Sequence, residues 1–460
     1  MKLRSPWTLL ILAVLAGIPS LVFRLGGIEL DTYPEVAISG LAILTAAFLI
    51  SSGAEASQYD IPAALAVALV AFIAVLPEYA VDLLLAYEAG QYASDPVAFA
   101  DFSEKANLAL ANMTGSNRLL LGLGWATVMF LFAWKAAGPR ELITSTARHA
   151  WRDLRGRPND GTEPELTLPR GVTLDVGILI VATLYSFIIV AKGRIALEDT
   201  VVLGLLFLWY VIRLARAPVH EPKLEGPAAA IGHLPVSARR AAVLFLIVYS
   251  AVVIGLAAEP FVHGLEDVGK DVGIGEFFLI QWVAPLASES PEFLAALYLV
   301  WRGSAGMGVN MLISSKVNQW TLLIASVPIA YIAGGGALSG ITSSDTQVAE
   351  VFITAAQSVF GVMLIIDRQL TARAGFALLG VFLAQLISQF FFQENNLIRW
   401  IFGVIYLGCA AAMLPSHWRL FPPTLREAFR TPAAAAALLT HGNGDTPDRD
   451  PANDTEGRQE

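Results

Sequence analysis

Residues 72–85 read Phe72-Ile73-Ala74-Val75-Leu76-Pro77-Glu78-Tyr79-Ala80-Val81-Asp82-Leu83-Leu84-Leu85, an apolar stretch interrupted by a proline and two acids. The pattern returns at 288–297 as Ser288-Glu289-Ser290-Pro291-Glu292-Phe293-Leu294-Ala295-Ala296-Leu297. Each copy lies inside a longer run, 61–88 and 275–301, and about 20 mostly apolar residues suffice to cross a bilayer as a helix. An acid at the bilayer centre costs about 2.5–3.5 kcal/mol on insertion scales, so its repeated placement beside proline demands compensation. Proline supplies part of the answer. It has no N–H to donate, so Pro77 frees the carbonyl of Ile73, and Pro291 and Pro285 free those of Ala287 and Gln281. Freed carbonyls beside a carboxylate are hard oxygen ligands, suited to calcium or sodium.

The remaining sequence supplies the membrane setting. The 460-residue chain is 55% hydrophobic and 15% charged, outside the range of ordinary soluble domains. Apolar runs at 6–26, 34–54, 61–88, 106–135, 172–191, 197–215, 241–260, 275–301, 304–333, 346–366, 370–392 and 397–415 predict ten to twelve spans. The first run follows Lys2 and Arg4 but precedes no small-residue cleavage site, so it reads as an anchor. Cys409, the only cysteine, sits within an apolar run and provides neither a disulfide framework nor a thiolate metal site. The net charge of -9 is divided between a polar tail and the spans. It implies no nucleic-acid partner; the expected partners are inorganic cations and membrane lipid.

Loop charge sets orientation. The 136–170 connection carries Arg140, Arg148, Arg152, Arg155, Arg157 and Arg170, and the 216–240 connection carries Arg216, Lys223, Arg239 and Arg240, which places both in the cytoplasm. Loops 27–33, 89–105 and 261–274 lean acidic and read as external; Lys192 and Arg194 are the one discordant pair. Arg419, Arg426 and Arg430 keep the C-terminal tail inside, and its polar end, 441–460, has a disordered composition. An integral protein of the plasma (inner) membrane is expected. With this frame, runs 61–88 and 275–301 cross in opposite directions.

A second pair of motifs follows the first in the same order. Asn112-Met113-Thr114-Gly115-Ser116-Asn117-Arg118 answers Asn310-Met311-Leu312-Ile313-Ser314-Ser315-Lys316. Asp82 stands four residues after Glu78 and Glu289 three before Glu292, so on helices two further acids share faces with the central pair, four acids in all. Asn112 with Ser116, and Asn310 with Ser314, repeat an i, i+4 spacing that presents amide and hydroxyl oxygens. Arg118 and Lys316 are candidates to neutralise Asp82 and Glu289. Taken singly, a membrane proline is more often a kink and an Asn or Ser more often a helix–helix hydrogen bond. The doubled Pro-Glu in opposite orientation favours a cation site instead. Gly334-Gly335-Gly336 reads as a flexible turn without a further role.

These residues resemble the membrane region of sodium/calcium exchangers, within the calcium/cation antiporter superfamily. Leu76-Pro77-Glu78 resembles the first motif of one family repeat, and Ala111-Asn112-Met113-Thr114-Gly115-Ser116-Asn117 with Leu121-Gly122-Leu123-Gly124 resembles the second. The resemblance covers about a third of the chain strongly. It implies two inverted halves of five spans, alternating access, and Glu78 with Glu292 as central cation ligands. The family's Thr-Ser pair before each Pro-Glu is replaced by Ala74-Val75 and Ser288-Glu289, and its second Gly-Ser-Asn by Ile313-Ser314-Ser315. With fewer hydroxyls and more titratable groups, the driving ion could be sodium or the proton.

The expectation is an all-α polytopic membrane protein with two inverted-topology repeats of about five transmembrane helices and an extra N-terminal helix. Its segments are 1–30, the extra helix; 34–216, the first repeat; 217–240, a linker; 241–415, the second repeat; and 416–460, the tail. The expected function is calcium antiport against sodium or protons, with no cofactor and with Glu78, Glu292, Asn112, Asn310, Ser116, Ser314, Asp82, Glu289 and Ser288 around the ion. An intramembrane enzyme is disfavoured, because His149, His220, His233, His263, His417 and His441 all lie outside the predicted spans. The alternative is a sensor or scaffold that keeps this fold without exchanging ions.

Overall fold

The computed structural model describes residues 5–28, 30–62, 65, 68–69, 72, 75–93, 98–138, 165–216, 224, 226–273, 278–301, 303, 305–392 and 395–430. Most of the basic loop at 136–170, the run before Val75 including Ile73 and Ala74, and the polar tail lie outside them. So do the side chains of Pro77, Ser288 and Pro291.

The first part of the chain forms α1 (Pro6–Leu25), α2 (Thr32–Ser57) and α3 (Leu76–Gln91). Then α4 (Ala98–Leu119) passes through a π-helical turn, Leu120–Trp125, into α5 (Ala126–Ala137). Next come β1 (Glu165–Thr167), α6 (Val172–Lys192), β2 (Arg194–Ile195) and α7 (Leu197–Ala215). After the short α8 (Gly226–Gly232) and the long α9 (Val236–Val272), a π turn, Leu279–Val283, leads into α10 (Ala284–Trp301). Then α11 (Ala305–Asn318), a π turn Gln319–Leu323 and α12 (Ile324–Ala333) mirror the α4–α5 arrangement. The chain closes with β3 (Ile341–Thr342), α13 (Asp345–Ile365), β4 (Gln369–Thr371), α14 (Ala372–Phe391), α15 (Asn396–His417) and α16 (Phe421–Ala428).

Among the described residues eight helices are long and apolar enough to cross a membrane. The other four predicted runs fall on α3, α7, α10 and α11–α12. Two predicted loops are largely helical. Within 89–105, α4 begins at Ala98, and α9 continues through 261–272. The second extension packs on α2 along one face, where a Cβ on Gly264 would lie 2.4 Å from the Val36 side chain, while Asp267 and Asp271 are exposed.

Two small antiparallel pairings fix the opposed directions of the halves. β1, before α6, pairs with β4, after α13; β2, after α6, pairs with β3, before α13. The two helices are thus joined at both ends and run antiparallel, as inverted repeats require. At the β2 end the discordant cations are neutralised locally: Lys192 meets Asp199 at 2.5 Å and Arg194 meets Glu198 at 2.9 Å.

The apolar core has a large part, drawn from α3–α7 and α10–α16, and smaller clusters between α2 and α9 and beneath α1. Outside the spans, Asp60 clamps α2 to the start of α9. It accepts from Arg239 Nε at 3.0 Å and Arg240 Nε at 3.0 Å, and Arg239 stacks over Tyr59 at 5.1 Å. The Arg239 hydrogen bond holds the Asp60 carboxyl below its ordinary value. A lowered carboxyl adds stability above the unfolded-state value of about 4 and loses it as pH falls through the folded one. Asp60→Asn should therefore cost about 1 kcal/mol at neutral pH, with the gap from wild type narrowing on acidification in thermal unfolding.

Candidate functional site

Helix α3 begins at Leu76, so Pro77 occupies the first turn, where its missing N–H is harmless. This start places Glu78 and Asp82 one turn apart, 1% and 0% exposed. The second half differs from expectation. Helix α10 continues through Pro291, and the irregularity lies earlier, in the Leu279–Val283 π turn before Pro285. A π turn takes up one extra residue locally, so the helix is disturbed there and regular at Glu292. Glu289 and Glu292 are 1% and 2% exposed.

Helices α4 and α11 bring neutral donors to these acids. Asn112 Nδ2 donates to Asp82 Oδ1 at 2.8 Å, Ser315 Oγ donates to Glu292 Oε2 at 2.9 Å, and Gln319 Nε2 donates to Glu289. Tyr79 Oη donates to Asn318 Oδ1 at 3.0 Å, tying the first acidic helix to the opposite repeat. Glu292 interacts electrostatically with both Glu289 and Glu78. The acids of the two halves are thus close enough to sense one another's charge. They do not form one tight cluster: among the described residues no three acidic or histidine side chains could hold a metal by themselves. Any ion there needs amide and hydroxyl oxygens as well. Such oxygens are present, since Asp82 Oδ2, Glu289 Oε2, Glu292 Oε1, Asn310 Oδ1 and Ser116 Oγ are enclosed and receive no hydrogen bond.

Three residues singled out in the sequence have other partners in the structure. The Ser314 hydroxyl donates to Asp175 Oδ1 at 2.9 Å, where Tyr210 Oη also donates at 2.5 Å. The π turns set the true register of the halves: Ser116 lies four residues before Leu120, and Ser315 four before Gln319. On that register Arg118 and Lys316 are not counterparts, and neither forms the expected ion pair. Arg118 pairs with Glu350 at 2.5 Å and stacks over Trp282 at 4.7 Å. Lys316 Nζ donates to the Asn117 carbonyl at 3.1 Å, over the Trp320 ring. Arg118 is satisfied by Glu350 and Lys316 by the Asn117 carbonyl, and Lys316 also interacts electrostatically with Glu289 without pairing with it. Gly334 also has a role: its Cβ would lie 2.1 Å from the Tyr87 carbonyl, so it lets α12 approach α3.

Glu350, Arg399 and Asp175 were missed. Each is a charge within a predicted span, the signal that singled out Glu78. They stand near the ends of their runs, where an acid or arginine ordinarily reaches water.

Inverted repeats that bring interrupted, acid-bearing helices together at the centre of a membrane protein define a secondary transporter. The family model described as sodium/calcium exchanger protein matches residues 36–215 and 242–391, and the chain belongs to that family of cation exchangers. It is similar to the H+/Ca2+ exchanger CAX, with 32% identity over 92% of this chain and 98% of that one, and a TM-score of 0.79. The Ca2+/H+ antiporter YfkE shares the fold at 16% identity, over 83% of this chain and 99% of that one, with a TM-score of 0.52. No curated protein matches the sequence.

Proposed function

We propose that this chain exchanges calcium ions for protons by alternating access. The unspent oxygens carry the reading: Asp82, Glu289 and Glu292 each have one buried carboxylate oxygen that no donor reaches, and Asn310 Oδ1 and Ser116 Oγ are likewise buried without a hydrogen bond. A hard divalent ion taking six to eight oxygens suits such a set drawn from both halves. Glu78 and Glu292 are the central ligands, with Asp82, Glu289, Asn112, Asn310, Ser116 and Ser288 around them, and Ser315 in place of Ser314. Protons as the counter-ion are supported by the hydroxyls lost at Ala74-Val75 and by the 32% identical relative described as an H+/Ca2+ exchanger. Carboxylates that bind calcium in one step can bind protons in the next, which couples the two fluxes without a separate proton site.

The test imposes the gradients separately on purified protein in liposomes. Radioactive calcium should accumulate in acid-loaded vesicles in neutral buffer. A sodium gradient at equal pH should give little uptake. Uptake driven only by sodium would overturn the choice of counter-ion. Calcium binding without flux under either gradient would point to the sensor alternative.

A further inference from the structure

One buried charge cluster lies outside the acids assigned above. Glu350 of α13 divides its carboxylate between two arginines: one oxygen meets Arg118 of α4 at 2.5 Å, the other meets Arg399 Nε of α15 at 2.5 Å. All three side chains are 0–1% exposed. Gln389 of α14 donates to the same oxygen as Arg399 at 3.4 Å, and Gln385 continues the chain to Tyr406 of α15. The family match ends at residue 391, so α15 lies beyond both matched segments. Apart from Arg399, Gly403, Tyr406 and Ala410, its surface is not buried.

Stability alone does not account for this cluster, because well-packed apolar residues in place of a buried ion triad are often neutral or stabilising. What the triad fixes is a position. Arg118 is two residues beyond Ser116, and its guanidinium lies over Trp282 in the π turn that leads into α10. It therefore touches a site helix from each repeat. With Glu350 gripped from both sides, Arg118 has a single seat; with one grip removed, the carboxylate can swing and take Arg118 with it.

We infer that Arg399 is a positioning residue for cation exchange: from a helix beyond both family-matched segments, it acts through Glu350 to seat Arg118 between α4 and the start of α10. This rests on the exchange reading above. It makes α15 a working part of the transporter and not only a lipid-facing addition.

Arg399→Met tests it, because the Arg118–Glu350 pair left behind is neutral and compatible with folding. In liposomes the KM for calcium should rise about tenfold while the maximal rate stays within about twofold, the range expected for a residue that tunes a site it does not touch. Calcium titration of the purified variant should weaken in parallel. Arg399→Lys should restore part of the affinity, since a point charge replaces a planar fork. A purely structural role would lower the yield of folded protein and leave KM unchanged. Wild-type KM in Arg399→Met overturns the proposal. Should that variant fail to fold, Glu350→Asp decides instead: it keeps the charge but is one methylene too short to hold both arginines, and an unchanged KM there is equally fatal. The wild type run in parallel separates the two ideas. If it exchanges a different divalent ion, the calcium assignment falls and Arg399 is judged with that ion.

Discussion

Glu292→Gln is expected to leave the protein at least as stable as wild type while reducing calcium exchange about a hundredfold or more. The two effects have one cause. Glu292 is 2% exposed, accepts from Ser315 on one oxygen and has a second buried acid, Glu289, as a neighbour. A carboxylate in that setting costs about 3 kcal/mol that only a bound cation returns, and removing its charge removes both the cost and the return. About 3 kcal/mol of lost ion binding corresponds to about a hundredfold. A glutamine oxygen can still accept from Ser315, so packing survives. Glu78→Gln in the opposite repeat should behave alike. The readouts are flux in liposomes and thermal unfolding with and without calcium. Calcium should raise the wild-type midpoint by mass action and leave both variants unmoved. If either variant exchanges calcium normally, that residue is not a ligand.

The elements legible in the sequence were those governed by local cost. An acid after proline in the middle of an apolar run is anomalous wherever it occurs, so Glu78 and Glu292 announce themselves and their opposed directions follow from loop charge. The twelve apolar runs are legible for the same reason, since hydrocarbon tolerates little else over that length. Partner choice was not. Counting from Asn112 and Asn310 assumes regular helices and aligns Ser116 with Ser314; counting back from the π turns aligns Ser116 with Ser315, the residue that reaches Glu292. No composition rule places a π turn. Nor does sequence reveal that Arg118 finds its counter-charge on α13, more than two hundred residues away. That pairing depends on how α4, α13 and α15 cross, which is decided by small residues at their contacts.

Gly115→Ala addresses that contact geometry and should be as damaging as losing a ligand. A Cβ on Gly115 would stand 1.8 Å from the Gln281 carbonyl oxygen and 2.8 Å from its carbon. Both are backbone atoms, so no rotamer change can relieve the clash. The α4 helix and the Leu279–Val283 π turn must separate by more than 1 Å, because real Cβ contacts essentially never fall below 3.0 Å. Overpacking of this kind costs typically about 1–3 kcal/mol of stability, which a bundle with a large buried core can absorb. The site cannot absorb it as easily. Ser116 and Arg118 lie on one side of the contact, Trp282 and the helix bearing Glu289 and Glu292 on the other, so the two halves of the oxygen set move apart together. A displacement of about 1 Å at a positioned site can cost about a hundredfold. The expected result is a folded protein with a lowered unfolding midpoint, calcium exchange down about a hundredfold, and calcium binding weakened to match. A smaller helix-to-helix effect is expected from Gly361→Ala, where the nearest atoms are the flexible tip of Leu121 at 2.8 Å. Equal losses in the two variants would mean that general crowding, and not separation of the α4–α10 contact, disables the transporter.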